Sequence, residues 1–399
     1  MKKNIFFTAL LFSLIICLKS QPYTWIAGSN AVDQPGHYGV LGVPDLSNNP
    51  GGRQGAVTWK DSHGNFWLFG GYGFDALGNL DLLNDLWKFN ITIKQWEWIA
   101  GDTVVNQAGV YGMMGLISVG NKPGSRHGAS SWKDASGNMW LFGGFGLDST
   151  GTQGYLNDIW KFDISFNTWV WIKGSKLADQ IGNYGTQNIF NVNNNPGSRY
   201  SSTLWQDPGG EVWCFGGQGF GSNPFFSGAL NDFWKYDPST NQWMWVTGNN
   251  QLWQQGNYGT IGVPTNSNNP GSRFGASGWI DGLGFPWLFG GFGADGVFGV
   301  GELNDLWKFD YTSNQWVWIN GDKTNSNQGI YGSQGISSPT NKPGSRYWSN
   351  MTLTSSGDVL LFGGYGWSTS QFNGNLNDLW KYNTSTNEWT WVKGSNAMN

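Results

Sequence analysis

At 399 residues the chain can hold two average domains or one large ring of repeats. It carries 62 Gly and 27 Trp, is 17% aromatic, and is only 12% charged. So much glycine beside so many aromatics points to short strands and tight turns around flat side chains, and excludes disorder. The formal net charge of −4 excludes a general attraction for nucleic acid or anionic lipid.

Lys2 and Lys3 precede a mostly apolar run from Ile5 to Leu18, and Lys19-Ser20-Gln21 follow. A short basic stretch and an apolar run of this length predict a secretory signal over 1–20, cleaved near Ser20–Gln21. Cys17 hints at lipidation, but Ile16 before it is too large for such a signal. Loss of Lys2, Lys3 and Lys19 takes the 22 basic residues to 19 against 26 acidic ones, a net of −7. Cys214 is then the one remaining cysteine, so no intramolecular disulfide is expected. No later apolar stretch is long enough to span a bilayer, and no membrane insertion is predicted.

From residue 53 onward the chain repeats. Gly-Gly pairs fall at Gly70, Gly143, Gly216, Gly290 and Gly363, in steps of 73, 73, 74 and 73. In phase with them run Arg53, Arg126, Arg199, Arg273 and Arg346, and Asn-Asp pairs beginning at Asn84, Asn157, Asn231, Asn304 and Asn377. Within the second copy, a first strand follows Arg126 and ends near Trp132. A second covers Met139 to Phe142, a third Ile159 to Phe162, and a fourth Trp169 to Ile172. Aromatic and branched residues bounded by Gly, Asp, Asn and Ser predict a four-stranded antiparallel meander.

A hydrophobic strand ending in Gly-Gly, a downstream Trp (Trp87, Trp160, Trp234, Trp307, Trp380) and a later Trp (Trp96, Trp169, Trp243, Trp316, Trp389) resemble the kelch repeat. The resemblance covers about 53–101, 126–174, 199–248, 273–321 and 346–394. It implies one all-β domain over 21–399, a β-propeller of five blades, with six blades, one of them incomplete, as the alternative. It also implies that the first strand of each blade lies nearest the axis. Each copy carries about 25 residues beyond the usual kelch unit, in the linker between blades. These linkers keep a Gly-x-Tyr-Gly frame around Tyr38, Tyr111, Tyr184, Tyr258 and Tyr331, which predicts ordered, docked loops. Five linkers suit a closed ring, with 27–52 sealing the last junction to the first. An extra strand-like segment, 22–27, copies a fourth strand, and its place is left open: an added outer strand, a replacement, or the start of a sixth blade.

In such a meander the second-to-third loops and the linkers share one end. These connections are long while the other turns are short, so recognition is expected on one loop crown. The five arginines open the first strands at that end. They either capture an anion such as a carboxylate or tie down loop carbonyls and the Asp of the Asn-Asp pairs; recurrence in every blade favours the tie. Aromatics that break the repeat, namely Trp253, Phe225, Phe226, Phe298, Trp367 and Phe372, are the better candidates for stacking on a ligand.

The chain's three histidines, His37, His63 and His127, occupy different places in their repeats, and Cys214 replaces a core Leu. A copper site like that of galactose oxidase, the enzyme whose central domain the chain resembles, cannot be assembled from them. No zinc spacing, nucleophile elbow or phosphate loop occurs, and no cofactor is predicted. The expectation is a secreted or cell-surface binding protein for a glycan or protein. The alternatives are a sugar-processing enzyme like a sialic-acid mutarotase and a scaffold without a small ligand.

Overall fold

The computed structural model describes residues 25–397. Its strands form five antiparallel sheets, one per repeat, and among the described residues there is no helix. In the first blade, Arg53–Gln54 and Val57–Lys60 make a first strand in two pieces, both paired to Phe66–Phe74. That strand pairs with Leu80–Asn90, which pairs with Gln95–Ala100 at the outer edge. The other blades run from Arg126–His127 to Thr168–Lys173, Arg199–Tyr200 to Gln242–Thr247, Arg273–Phe274 to Gln315–Asn320, and Arg346–Tyr347 to Glu388–Lys393. The fold is therefore the five-bladed propeller that the repeat implied. The signal segment and residues 22–24 lie outside the described residues.

Four hydrophobic clusters hold the blades together, each between one blade and the next. Trp67 and Phe69 of blade 1 meet Phe162 and Trp169 of blade 2 at ring-centroid distances of 5.9 and 5.1 Å. The Gly-Gly pair permits this approach. Gly70 has φ of +62°, and a Cβ there would stand 2.7 Å from the Arg126 carbonyl oxygen of the next blade. Around the axis, main-chain bonds run from blade to blade: Gly128 N–H to Gly55 O (2.8 Å), Ser201 to Gly128 (2.7 Å), Gly275 to Ser201 (2.9 Å) and Trp348 to Gly275 (2.8 Å).

The junction from blade 5 back to blade 1 is different. Among the described residues no hydrogen bond or ring contact crosses it. Phe362 is 45% exposed, whereas its counterparts Phe69, Phe142, Phe215 and Phe289 are at most 1% exposed. On the facing side Phe66 is 46% exposed, while Met139 at the same place in blade 2 is 1%. The reason is in the side chains: Asn350, Thr352 and Leu360 stand where blade 1 has Val57, Trp59 and Trp67. That face has lost the rings that fill the other four junctions.

The linkers explain their own repetition. Each docks on the blade that follows it, where a backbone N–H donates to the fourth-strand carbonyl: Gly42 to Trp98, Gly115 to Trp171, Asn188 to Trp245, Gly262 to Trp318 and Gly335 to Trp391, all at 2.7–2.8 Å. An exposed strand edge invites pairing with another chain, and this strap covers it. The linker is also stitched to the blade it leaves, through Asn84 Nδ2 to Pro123 O and the equivalents from Asn157, Asn231 and Asn304. Linker 27–52 makes the first set of bonds and not the second, because Asn377 is exposed with no such bond to Pro50. The expectation that it seals the ring is corrected on that ground. The outer strand of blade 5 is the C-terminal Glu388–Lys393, with Ser337–Ser338 beyond it, and Trp25 lies exposed outside any strand.

Candidate binding site

The long connections do gather at one end. Linker N–H groups donate to second-to-third loop carbonyls in every blade: Gly36 to Asp75, Gly109 to Asp148, Gly182 to Gly221, Gly256 to Asp295 and Gly329 to Ser368. Opposite lie the short turns, such as Asp61–Asn65, where the Asp61 carboxylate accepts from the His63 and Asn65 N–H groups and from Trp67 Nε1.

The five arginines open the first strands at the crown end, but their guanidinium groups point into the blades. Arg126 is fully buried and grips both oxygens of Asp158 at 2.6 and 2.8 Å, while its Nε and Nη1 donate to the Gly124 and Gly143 carbonyls. Arg53–Asp85, Arg199–Asp232, Arg273–Asp305 and Arg346–Asp378 repeat the pairing. Each Asp also accepts from a linker tyrosine and a third-strand tryptophan, as Asp158 does from Tyr111 and Trp160, both at 2.7 Å. Burial and then the carboxylate push the Tyr111 hydroxyl well above its ordinary pKa. Burial alone would raise Asp378, but the Arg346 guanidinium holds it below the usual carboxylate value. The module ties blade, linker and strand together. No guanidinium of the five reaches the crown surface.

The aromatics outside the repeat are placed on blades 3, 4 and 5. Phe225, Phe226, Phe298 and Phe372 are exposed, and among the described residues no ring contact joins them. Trp253 is partly exposed and lies over Gly228, while Trp367 is half-buried and donates from Nε1 to Glu302 at 3.2 Å. Cys214 is buried, and desolvation pushes its thiol up to about 11, which makes it an inert core group. Among the described residues no group of three His, Cys, Asp or Glu side chains is placed to hold a metal ion.

The structure brings together a set that the sequence reading passed over. The residue after each arginine, Gln54, His127, Tyr200, Phe274 and Tyr347, stands at the mouth of the axial channel. Ring centroids run in a chain: His127–Tyr200 at 5.6 Å, Tyr200–Phe274 at 6.0 Å, Phe274–Tyr347 at 6.3 Å, and Tyr347–Trp348 at 4.6 Å. Burial drives the His127 imidazole below its usual pKa and lifts Tyr200 to about 12. Below this belt the first strands line a cavity of about 600 Å³, and no Asp, Glu, Lys or Arg side chain lines it.

Trp348, one residue beyond that set, is a departure of its own. Its place is Gly in blades 1, 2 and 4, because the chain there takes a left-handed turn; Trp348 has φ of +54° and Ser201 φ of +52°. A bulky residue in this region costs on the order of 1–2 kcal/mol, and such strain collects at functional sites. The signal that could have found the set was a position that varies directly after a recurrent Pro-Gly-Ser-Arg frame, Pro-Gly-Gly-Arg in the first blade.

Residues 208–244, in blade 3, and 347–396, in blade 5, each match a model of the Kelch motif. No curated protein matches the chain significantly. The other three blades keep the same strand order and arginine–aspartate module as the two that match.

Proposed function

This chain is a kelch-repeat β-propeller, and on that premise we propose that it is a secreted interaction scaffold without catalytic chemistry, which captures a glycan or protein at its crown. One observation carries the reading: the two positions that follow each arginine, from Gln54-Gly55 to Tyr347-Trp348, vary at the channel mouth while the arginine–aspartate module beneath them recurs in every blade. Loops and strand ends on a rigid scaffold are where recognition is built, and variable side chains in a constant frame give it specificity. Secretion rests on the basic and apolar N-terminal segment.

The test uses the mature chain, displayed against a glycan array and against cross-linked surface proteins of its source. Specific retention of one class, reduced by alanine at Tyr200 and Tyr347, is the expected result. Turnover of free sialic acid, followed by NMR, would overturn the non-catalytic reading. Intact-mass analysis of exported protein should show a chain beginning near Gln21.

A further inference from the structure

We propose that the axial cavity binds an uncharged saccharide, whose ring stacks on the Trp348 indole while its hydroxyls bond the polar groups of the wall. The proposal rests on the reading of this chain as a binding protein and names its ligand class.

Three observations lead to it. Trp348 is 54% exposed and held in a backbone conformation that Gly55, Gly128 and Gly275 occupy without strain. Its ring lies over Gly275, where a Cβ would stand 2.8 Å from the indole, so the neighbouring blade leaves room for it. A large side chain kept at a strained position, at the axis and in the open, serves something other than packing.

The wall is largely apolar but carries uncommitted polar groups. Among the described residues the side-chain polar atoms of Gln54, His127, Ser131, Tyr200, Ser201 and Asn350 have no protein hydrogen-bond partner. They offer donors and acceptors spaced around an aromatic platform. A sugar ring has this complement: an apolar face of C–H bonds and a rim of hydroxyls. The cavity of about 600 Å³ falls within the usual range for small-ligand sites.

Charge decides which sugar. No charged side chain lines the cavity, and the five nearby arginines are locked in buried pairs with aspartates. A carboxylate or sulfate brought here would lose its water without finding a counter-charge. The site therefore selects neutral over anionic saccharides.

The decisive variant is Trp348→Gly. It installs the residue that three other blades carry, so the fold should persist with an unchanged or higher Tm. Calorimetry and saturation-transfer NMR would follow lactose, maltose, cellobiose and 3′-sialyllactose on the mature chain. Neutral sugars should bind with an affinity nearly constant between about 0.05 and 0.5 M NaCl. Binding should fall about tenfold or more in Trp348→Gly, from loss of the stacking platform. Unchanged affinity in that variant, or tighter and salt-sensitive binding of the sialylated sugar, overturns the proposal. A protein partner captured at the crown, with neutral sugars silent, refutes this inference alone. Silence from every glycan and protein removes the parent reading as well.

Discussion

Between blades 2 and 3, Phe142 meets Trp243 at 5.4 Å and is 1% exposed; between blades 5 and 1, the equivalent Phe362 is 45% exposed and meets no ring of blade 1. Both residues lie in second strands with the same register, next to the same Gly-Gly pair. The difference arises across the junction. At a sealed junction two large faces interlock, and linker bonds such as Asn157 to Pro196 fasten the next blade. At the open one the Trp59 and Trp67 positions carry Thr352 and Leu360. A blade's internal hydrogen bonds thus survive without a neighbour, while the burial of its faces depends on one.

Four measurements test that contrast. The largest effect is expected from Asp158→Ala, which leaves Arg126, Tyr111 and Trp160 without their shared acceptor inside a sealed blade. Removing one partner of a buried pair costs about 3–5 kcal/mol, and the two further orphaned donors place this variant at the upper end, read as a shift in urea midpoint. Next, Phe142→Ala should cost about 3–5 kcal/mol through the cavity it leaves, while Phe362→Ala should cost less than about 1.5 kcal/mol. Equal losses at the two sites would mean that the last junction closes in solution.

Smaller differences follow at the Gly-Gly pairs. A Cβ at Gly290 would stand 2.7 Å from the Arg346 carbonyl oxygen, whereas at Gly363 the nearest atom is the Leu376 carbonyl oxygen of its own blade, at 3.0 Å. Gly290→Ala therefore carries a clash between blades on top of the left-handed strain of about 1–2 kcal/mol that both variants share. Differential scanning calorimetry should place Gly290→Ala lower in Tm than Gly363→Ala.

The smallest effect is a pH dependence at the channel. Burial lowers the His127 pKa in the folded chain below its ordinary 6.5. The unfolded chain then takes up the proton first, so stability present above about 6.5 declines as pH falls, and levels off below the folded value. Asp378 titrates below its ordinary 3.8, so its contribution is lost only at lower pH. A Tm series between pH 7.5 and 5 should show a slope in the wild type that His127→Gln reduces.

The fold was legible because repetition multiplies weak signals: Gly-Gly, Arg, Asn-Asp and Trp kept register through five copies. The linkers were read as docked from Tyr38 and its counterparts, whose partners proved to be the blade aspartates. The channel site was harder to see because its signal is variation at two adjacent positions, and because its most telling residue, Trp348, resembles any other of the 27 tryptophans of the chain. That its backbone is left-handed is a property of φ, on which residue identity bears only weakly.

The blade, its four strands, its core rings and the end at which its long connections lie were all readable from residue order, since they follow from local alternation and turn chemistry. Packing in three dimensions settled that the arginines face inward, as their recurrence favoured, that each linker straps the blade it enters, and that the last face stays uncovered. Those outcomes depend on groups far apart in the chain, 32 residues for Arg126 and Asp158 and more for a linker and its outer strand or for the last blade and the first, and periodicity within one strand carries no record of that meeting.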